Sequence, residues 1–135
     1  MYSITELIPQ RPPIVMVDEF LGIEGNLSRT RLVVREDNLF VCGGVLDECG
    51  IIEHMAQSAA ARVGYLFREK GEKIPLGYIG SINDFTVARH PKTGEEMMTV
   101  IEVMQEVFHI SLVAARCEVD GRCIAACKMK IYLEP

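Results

Sequence analysis

Between Glu48 and Lys70 the chain carries an apolar stripe at helical spacing, and this run constrains the fold more than any other. Ile52, Ala56, Ala59, Ala60, Val63 and Leu66 recur at three- and four-residue steps, which places them on one face of an α-helix. The stretch Ala56-Gln57-Ser58-Ala59-Ala60-Ala61 gives that helix small side chains, so a sheet can approach it closely. Gly71 follows as a natural C-terminal cap. A helix with such a stripe has to bury it against another layer.

The flanking sequence supplies that layer. Ile14 to Gly22 and Leu27 to Val34 read as strands joined by a turn at Gly25-Asn26. A loop spans residues 35–47, with Asp37-Asn38 and the pair Gly43-Gly44. After the helix and a loop at 72–76, three runs read as strands: Leu76 to Val87, Glu96 to Val107 and Phe108 to Val119. Asp120-Gly121 then predicts a tight hairpin into a last strand, Arg122 to Leu133. Ahead of all this, Ser3 and Glu6 form a possible capping box for one helical turn over 3–8, which Pro9 stops. Gln10-Arg11-Pro12-Pro13 must be extended.

Two strands, a long helix and four strands in a meander define an α+β chain. The expected architecture is a hotdog fold, in which a highly curved antiparallel sheet of five to six strands wraps a long central helix. Residues 1–135 are expected to form a single domain. Edges and faces of such a shape usually pair across a two-fold axis, so a dimer is expected.

Composition excludes several classes. The net charge is -5 and both signs are interspersed, so no basic stripe suggests nucleic acid. Lys128-Met129-Lys130 reads as the solvated face of an alternating strand. An acidic carrier protein remains compatible, because a basic rim can sit on an acidic molecule. No run approaches a membrane span and the first residues carry no signal-peptide pattern, so a cytoplasmic protein is expected. The odd count of cysteines, Cys42, Cys49, Cys117, Cys123 and Cys127, argues against a disulfide framework. No spacing suggests a metal or redox site, and no cofactor is implied.

Glu53 is the first candidate for chemistry. It lies in the first two turns of the helix, beside the apolar stripe rather than opposite it. A carboxylate there is costly unless it faces a cavity, a partner or water. It reads either as a solvent-facing glutamate or as a general acid or base whose pKa burial has raised. Gln57, one turn on, lies on the same side and could orient that carboxylate or a substrate oxygen.

Other candidates are weaker in chemical content. Cys42-Gly43-Gly44 leads toward the helix, where backbone N–H groups could hold an oxyanion, or is simply a loop. Cys42 has no histidine nearby in sequence to make it a nucleophile. His54 falls near the face opposite the stripe centre and does not easily share a pocket with Glu53 of its own chain. His90, before Pro91, and His109, within a strand-like run, read with it as structural or exposed. Asn38, Phe40 and Met55 are expected to touch substrate, and Ala59 and the strand at 77–87 to line a tunnel.

These residues resemble those of the 3-hydroxyacyl-(acyl-carrier-protein) dehydratases of the FabZ/FabA type. Ile8-Pro9-Gln10-Arg11-Pro12-Pro13-Ile14-Val15-Met16-Val17-Asp18 looks like their opening, Pro-His-Arg-x-Pro-x-x-x-Val-Asp. Ile51-Ile52-Glu53-His54-Met55-Ala56-Gln57 looks like their active-site helix, Ile-Ile-Glu-Ala-x-Ala-Gln. With the strand order, the resemblance covers nearly the whole chain. More narrowly, the chain is similar to the divergent dehydratase-like proteins of aryl polyene and flexirubin clusters, with their Arg-Pro-Pro opening and Gly-Ile-Glu-x-Met-Ala-Gln helix.

The resemblance implies a hydro-lyase acting on acyl thioesters of a carrier protein or coenzyme A, in fatty acid or polyene biosynthesis. In that family a histidine in a His-Phe-Pro-Gly loop removes the α-proton, and a helix carboxylate of the other protomer helps the hydroxyl leave as water. Glu53 carries over as that carboxylate and Gln57 as its neighbour. The histidine does not carry over: Asp37-Asn38-Leu39-Phe40-Val41-Cys42-Gly43 holds none, and Gln10 stands where the family commonly has histidine. Losing such a base typically removes about 10²- to 10⁴-fold in rate.

Three readings follow. In one, the chain is a dehydratase-type subunit, partly or wholly inactive alone, whose Glu53 completes a composite site in a homodimer or with a histidine-bearing hotdog homologue. In another it is a thioesterase in which Glu53 alone activates water. In the last it is a non-catalytic acyl-binding module.

Overall fold

The computed structural model describes residues 2–135. A 3₁₀ turn, Ile4–Glu6, opens the chain, with Glu6 Oε1 accepting the Ser3 N–H at 3.0 Å. Strands β1 (Glu19–Glu24) and β2 (Leu27–Val33) follow, then a short hairpin of β3 (Val41–Cys42) and β4 (Val45–Leu46). Helix α1 spans Glu48–Glu69. Strands β5 (Gly77–Val87), β6 (Glu96–Val107), β7 (Ile110–Val119) and β8 (Arg122–Leu133) complete the order.

The six long strands form one antiparallel sheet in the order β1-β2-β6-β7-β8-β5. Bulges break the register in β1, β5, β6 and β8. Such bulges increase local twist and help a sheet bend round a helix. Ile51, Met55 and Ala59 of α1 pack into the main core with Leu32, Met97, Ile101, Val113, Ala115 and Met129. This is the hotdog architecture expected from the element order.

Both ends of α1 are fixed by local chemistry. Asp47 is the N-cap and its Oδ1 accepts the Gly50 N–H at 2.8 Å. At the other end Gly71, at φ 69°, closes a Schellman motif: Glu72 N–H reaches Phe67 O at 2.9 Å and Gly71 N–H reaches Arg68 O at 3.0 Å. Gly64 lets the N-terminal segment lie directly on the helix. A Cβ there would stand 2.7 Å from the Leu7 carbonyl carbon.

Some boundaries and faces differ from expectation. Residues 14–18 precede β1 outside the sheet, the run before them turns at Pro12-Pro13 with Ile14 N–H reaching Arg11 O at 3.1 Å instead of staying extended, and residues 35–47 contain the β3–β4 hairpin. His109 lies in the two-residue turn between β6 and β7, not in a strand. The face of α1 that meets the sheet is not the apolar stripe. It includes Ile51, His54, Met55 and Ser58, whereas Ile52, Ala56, Ala60 and Val63 are half-buried and Leu66 is exposed. Periodicity of apolar residues gave no weight to His54 and Ser58, whose polar groups find partners on the strands.

Candidate functional site

Glu53 and Gln57 sit one turn apart on α1, and Gln57 Nε2 donates to Glu53 Oε2 at 2.8 Å. The same Nε2 donates to Ile14 O at 2.8 Å, while Gln57 Oε1 accepts the Met16 N–H at 2.6 Å. These partners fix which way the amide faces, since a carbonyl can only accept and an N–H can only donate. Gln57 is 1% exposed, so it is a rigid bracket between the helix and the extended chain at 14–16. Glu53 is half-buried. Among the described residues its Oε1 accepts no hydrogen bond, which leaves that oxygen available to a substrate hydroxyl or a water.

His54 points the other way, as its place opposite the apolar stripe implies. It is fully buried: Nδ1 lies 2.7 Å from Met16 O and Nε2 lies 2.8 Å from Thr99 Oγ1. Burial pushes its pKa down to about 4, partly offset by the bond to the Met16 carbonyl and by the Asp18 carboxylate. A neutral ring with both nitrogens occupied has no vacancy for a substrate proton. Ser58 extends the polar strip beneath the helix, its Oγ lying 2.6 Å from Thr30 Oγ1 and 2.7 Å from His54 O.

The loop before the helix holds itself together. Asn38 Oδ1 accepts the Phe40 N–H at 2.8 Å, and its Nδ2 reaches Met16 Sδ at 3.3 Å. Phe40 packs against the start of α1, where a Cβ on Gly50 would lie 2.6 Å from Phe40 Cβ. Cys42 is exposed. Gly43 and Gly44, at φ 62° and 78°, form the two-residue turn of the β3–β4 hairpin. Gly44 O accepts the Thr93 N–H at 3.0 Å, which ties the hairpin to the turn before β6. No hydrogen bond among the described residues ties it to Glu53 or Gln57.

An apolar cavity of about 880 Å³ opens beside α1. Its helical wall begins at Ala56, one turn beyond Glu53, and continues through Ala59, Ala60, Val63 and Phe67. Gly77 to Ile79 and the residues Ile131 and Leu133 form the facing wall, and Gln10 and Arg11 stand at one side. Four residues of the stripe read from the sequence, Ala56, Ala59, Ala60 and Val63, line this cavity with the start of β5. Met55 is a correction. It is fully buried in the core with Sδ 3.6 Å from Cys127 Sγ, because its helical position turns it toward the sheet.

The sequence marks His54 as structural or exposed and gives no sign of its partner Thr99. A histidine standing where the related helix has alanine, directly after the carboxylate, was the available signal. Cys117 and Cys127 are buried thiols pushed up to about 11 by desolvation, which makes them inert packing groups. Among the described residues no three His, Cys, Asp or Glu side chains gather into a possible metal centre. No helix is long and apolar enough to cross a membrane.

Comparison with known proteins identifies the family and the fold. A family model described as ApeP-like, ApeP dehydratase, matches residues 2–135. The chain is 28% identical to the 3-hydroxyacyl-(acyl-carrier-protein) dehydratase FabZ of Nitrosospira multiformis, over 100% of this chain and 97% of that protein. Its fold matches the dehydratase heterocomplex ApeI:P from Xenorhabdus doucetiae at a TM-score of 0.92, with 16% identity, covering 100% of this chain and 93% of that one. A hypothetical thioesterase with coenzyme A from Streptococcus pneumoniae has the same fold at a TM-score of 0.68, with 10% identity, covering 86% and 84%. The chain belongs to the ApeP-like dehydratase family and is a dehydratase-like hotdog protein.

Proposed function

We propose that this chain supplies the carboxylate half of a composite dehydratase site and that a histidine-bearing hotdog partner supplies the base. The observation that carries this reading is the Glu53–Gln57 bracket. One carboxylate oxygen is held at 2.8 Å and the other is open; the cavity, which Glu53 itself does not line, begins one turn along the helix at Ala56. The substrate is a 3-hydroxyacyl thioester on a carrier protein, with its acyl chain laid along the apolar wall of Ala56, Ala60 and Val63.

In the reaction, the partner's imidazole takes the α-proton. The electron pair left behind forms the new C=C bond, and the 3-hydroxyl leaves as water with a proton from Glu53, which enters the step as the carboxylic acid and regains its proton from the imidazolium after turnover. The thioester bond is retained. His54 has both nitrogens engaged and His90 lies beside Glu48 at 3.7 Å; His109, in the turn between β6 and β7, lines the cavity, whose walls do not include Glu53.

The exposed edge of β5 supports pairing with another hotdog chain. This terminal strand of the sheet carries Tyr78, Ile79 and Ile82 at 36–50% exposure. Unpaired strand edges with apolar side chains are templates for another strand. The heterocomplex formed by the Xenorhabdus doucetiae dehydratase is a precedent for such an assembly.

The test is reconstitution. The chain, a histidine-bearing hotdog homologue and their mixture are each given a 3-hydroxyacyl carrier protein. Dehydration by the mixture well above the sum of the separate proteins is expected. Release of the free acid by this chain alone would instead identify a thioesterase. Tight binding with no turnover in any mixture would identify an acyl-binding module.

A further inference from the structure

The extended chain at 14–16 is held by side chains of α1 rather than by another strand. In extended chain the N–H and C=O of one residue point to the same side. Met16 presents both to the helix, and both are taken: its N–H donates to Gln57 Oε1 at 2.6 Å, and its carbonyl faces His54 Nδ1 at 2.7 Å. Ile14 O, two residues back on the same side, takes Gln57 Nε2. Two side chains three positions apart on a helix thus replace a neighbouring strand.

The hydrogen-bond logic fixes the state of His54. A carbonyl oxygen carries no proton, so Nδ1 must be the protonated nitrogen and Nε2 must accept from the Thr99 hydroxyl. Thr99 faces the helix from β6, in register with Thr30 on β2 and Cys117 on β7. The Met16 carbonyl therefore sets the ring's tautomer, and the Thr99 hydroxyl, which can donate or accept, holds the other nitrogen.

We infer that His54 is a positioning residue for Glu53: it anchors the Met16 carbonyl, which aligns the Met16 N–H on Gln57, which holds the Glu53 carboxylate. His54 touches neither substrate nor reacting atoms. This inference rests on the reading of Glu53 as the working carboxylate, but its central readout does not require activity.

Two substitutions separate positioning from space filling. Asparagine places its amide nitrogen near the position of a histidine Nδ1, so His54→Asn keeps a donor for Met16 O and loses the Thr99 contact. Glutamine reaches the Nε2 position, so His54→Gln keeps the Thr99 contact and loses the donor. The probe is hydrogen exchange of the Gln57 side-chain amide, followed by NMR in variants that stay folded. Protection close to wild type is expected in His54→Asn, and exchange faster by about tenfold or more in His54→Gln and His54→Ala. In the reconstituted pair, His54→Gln is expected to lower kcat with KM nearly unchanged, and His54→Asn to restore it.

The ring tautomer of the wild-type chain, read from imidazole nitrogen shifts, tests the same arrangement without any variant. A proton on Nδ1 is expected. A proton on Nε2 alone, or undiminished Gln57 protection in folded His54→Gln, would overturn the inference. Should the pair show no turnover, the reading of Glu53 fails while the tautomer and exchange still decide the role of His54.

Discussion

Gln57 and Glu53 are joined by a 2.8 Å hydrogen bond across one helical turn, and the Gln57 amide is also locked on its far side by the Ile14 and Met16 backbone. A glutamine at the edge of a helix would ordinarily be free to rotate. Here its three hydrogen bonds allow one orientation, so the carboxylate it holds has a fixed direction as well. Orientation of this kind matters to a group that must meet a leaving hydroxyl in line with its lone pairs.

Gln57→Leu keeps roughly the same volume but leaves the Met16 N–H and Ile14 carbonyl without partners. Unfolding stability is expected to fall by about 2–4 kcal/mol, from two stranded backbone groups. Urea denaturation of the two proteins checks this. Activity in the reconstituted pair is expected to fall as well, because Glu53 loses its anchor. A variant as stable as wild type would mean that water or local adjustment satisfies both groups.

Gly64→Ala tests the contact that brings the N-terminal segment to the helix. The added methyl would run into the Leu7 carbonyl, a backbone group that cannot rotate away. The Glu6 carbonyl just before it is also held, accepting from Arg68 Nε at 2.9 Å. A loss of about 1–3 kcal/mol in thermal or urea unfolding is expected, typical of overpacking against an unyielding neighbour. Gly94→Ala is not an equivalent control, because Gly94 sits at φ 93° in a turn and is strained for another reason.

Stability should depend on pH through His54. Folding holds the ring at about 4, below its ordinary 6.5, so between these values the unfolded chain binds a proton that the folded chain excludes. The contribution is fully present above about 6.5 and is lost progressively as pH falls toward 4, to a limit of ~3 kcal/mol. Glu6 and Glu95, held low by hydrogen bonds from Ser3 and Arg89, lose their contributions only in more acidic solution. Urea midpoints from neutral pH down to about pH 5 are expected to fall in wild type, and His54→Asn is expected to flatten that decline.

Much of the fold was legible from local rules. The Asp120-Gly121 hairpin, the Gly25-Asn26 turn and the Gly71 cap each follow from backbone conformations that few residues adopt. Helical spacing was enough to place Gln57 beside Glu53. The partners of His54 were not legible, because Met16 and Thr99 lie 38 and 45 residues away and contribute a backbone oxygen and a threonine hydroxyl. A threonine in a strand reads as a β-former, and a backbone carbonyl leaves no mark in sequence at all. Met55 lies in the core and not on the cavity wall for a related reason. The helix sends Ile51, Met55 and Ala59 into the core beside the polar His54 and Ser58, and leaves Ala56, Ala60 and Val63 on the cavity side.

The central claim is that Glu53 delivers the proton on which water leaves. Its most direct test is intact-mass analysis of a 3-hydroxyacyl carrier protein incubated with the histidine-bearing partner plus either the wild-type chain or Glu53→Gln. Loss of one water is expected in the wild-type mixture, and a rate about 10²- to 10⁴-fold lower with Glu53→Gln. Equal dehydration in both mixtures would contradict it, because the proton would then come from elsewhere.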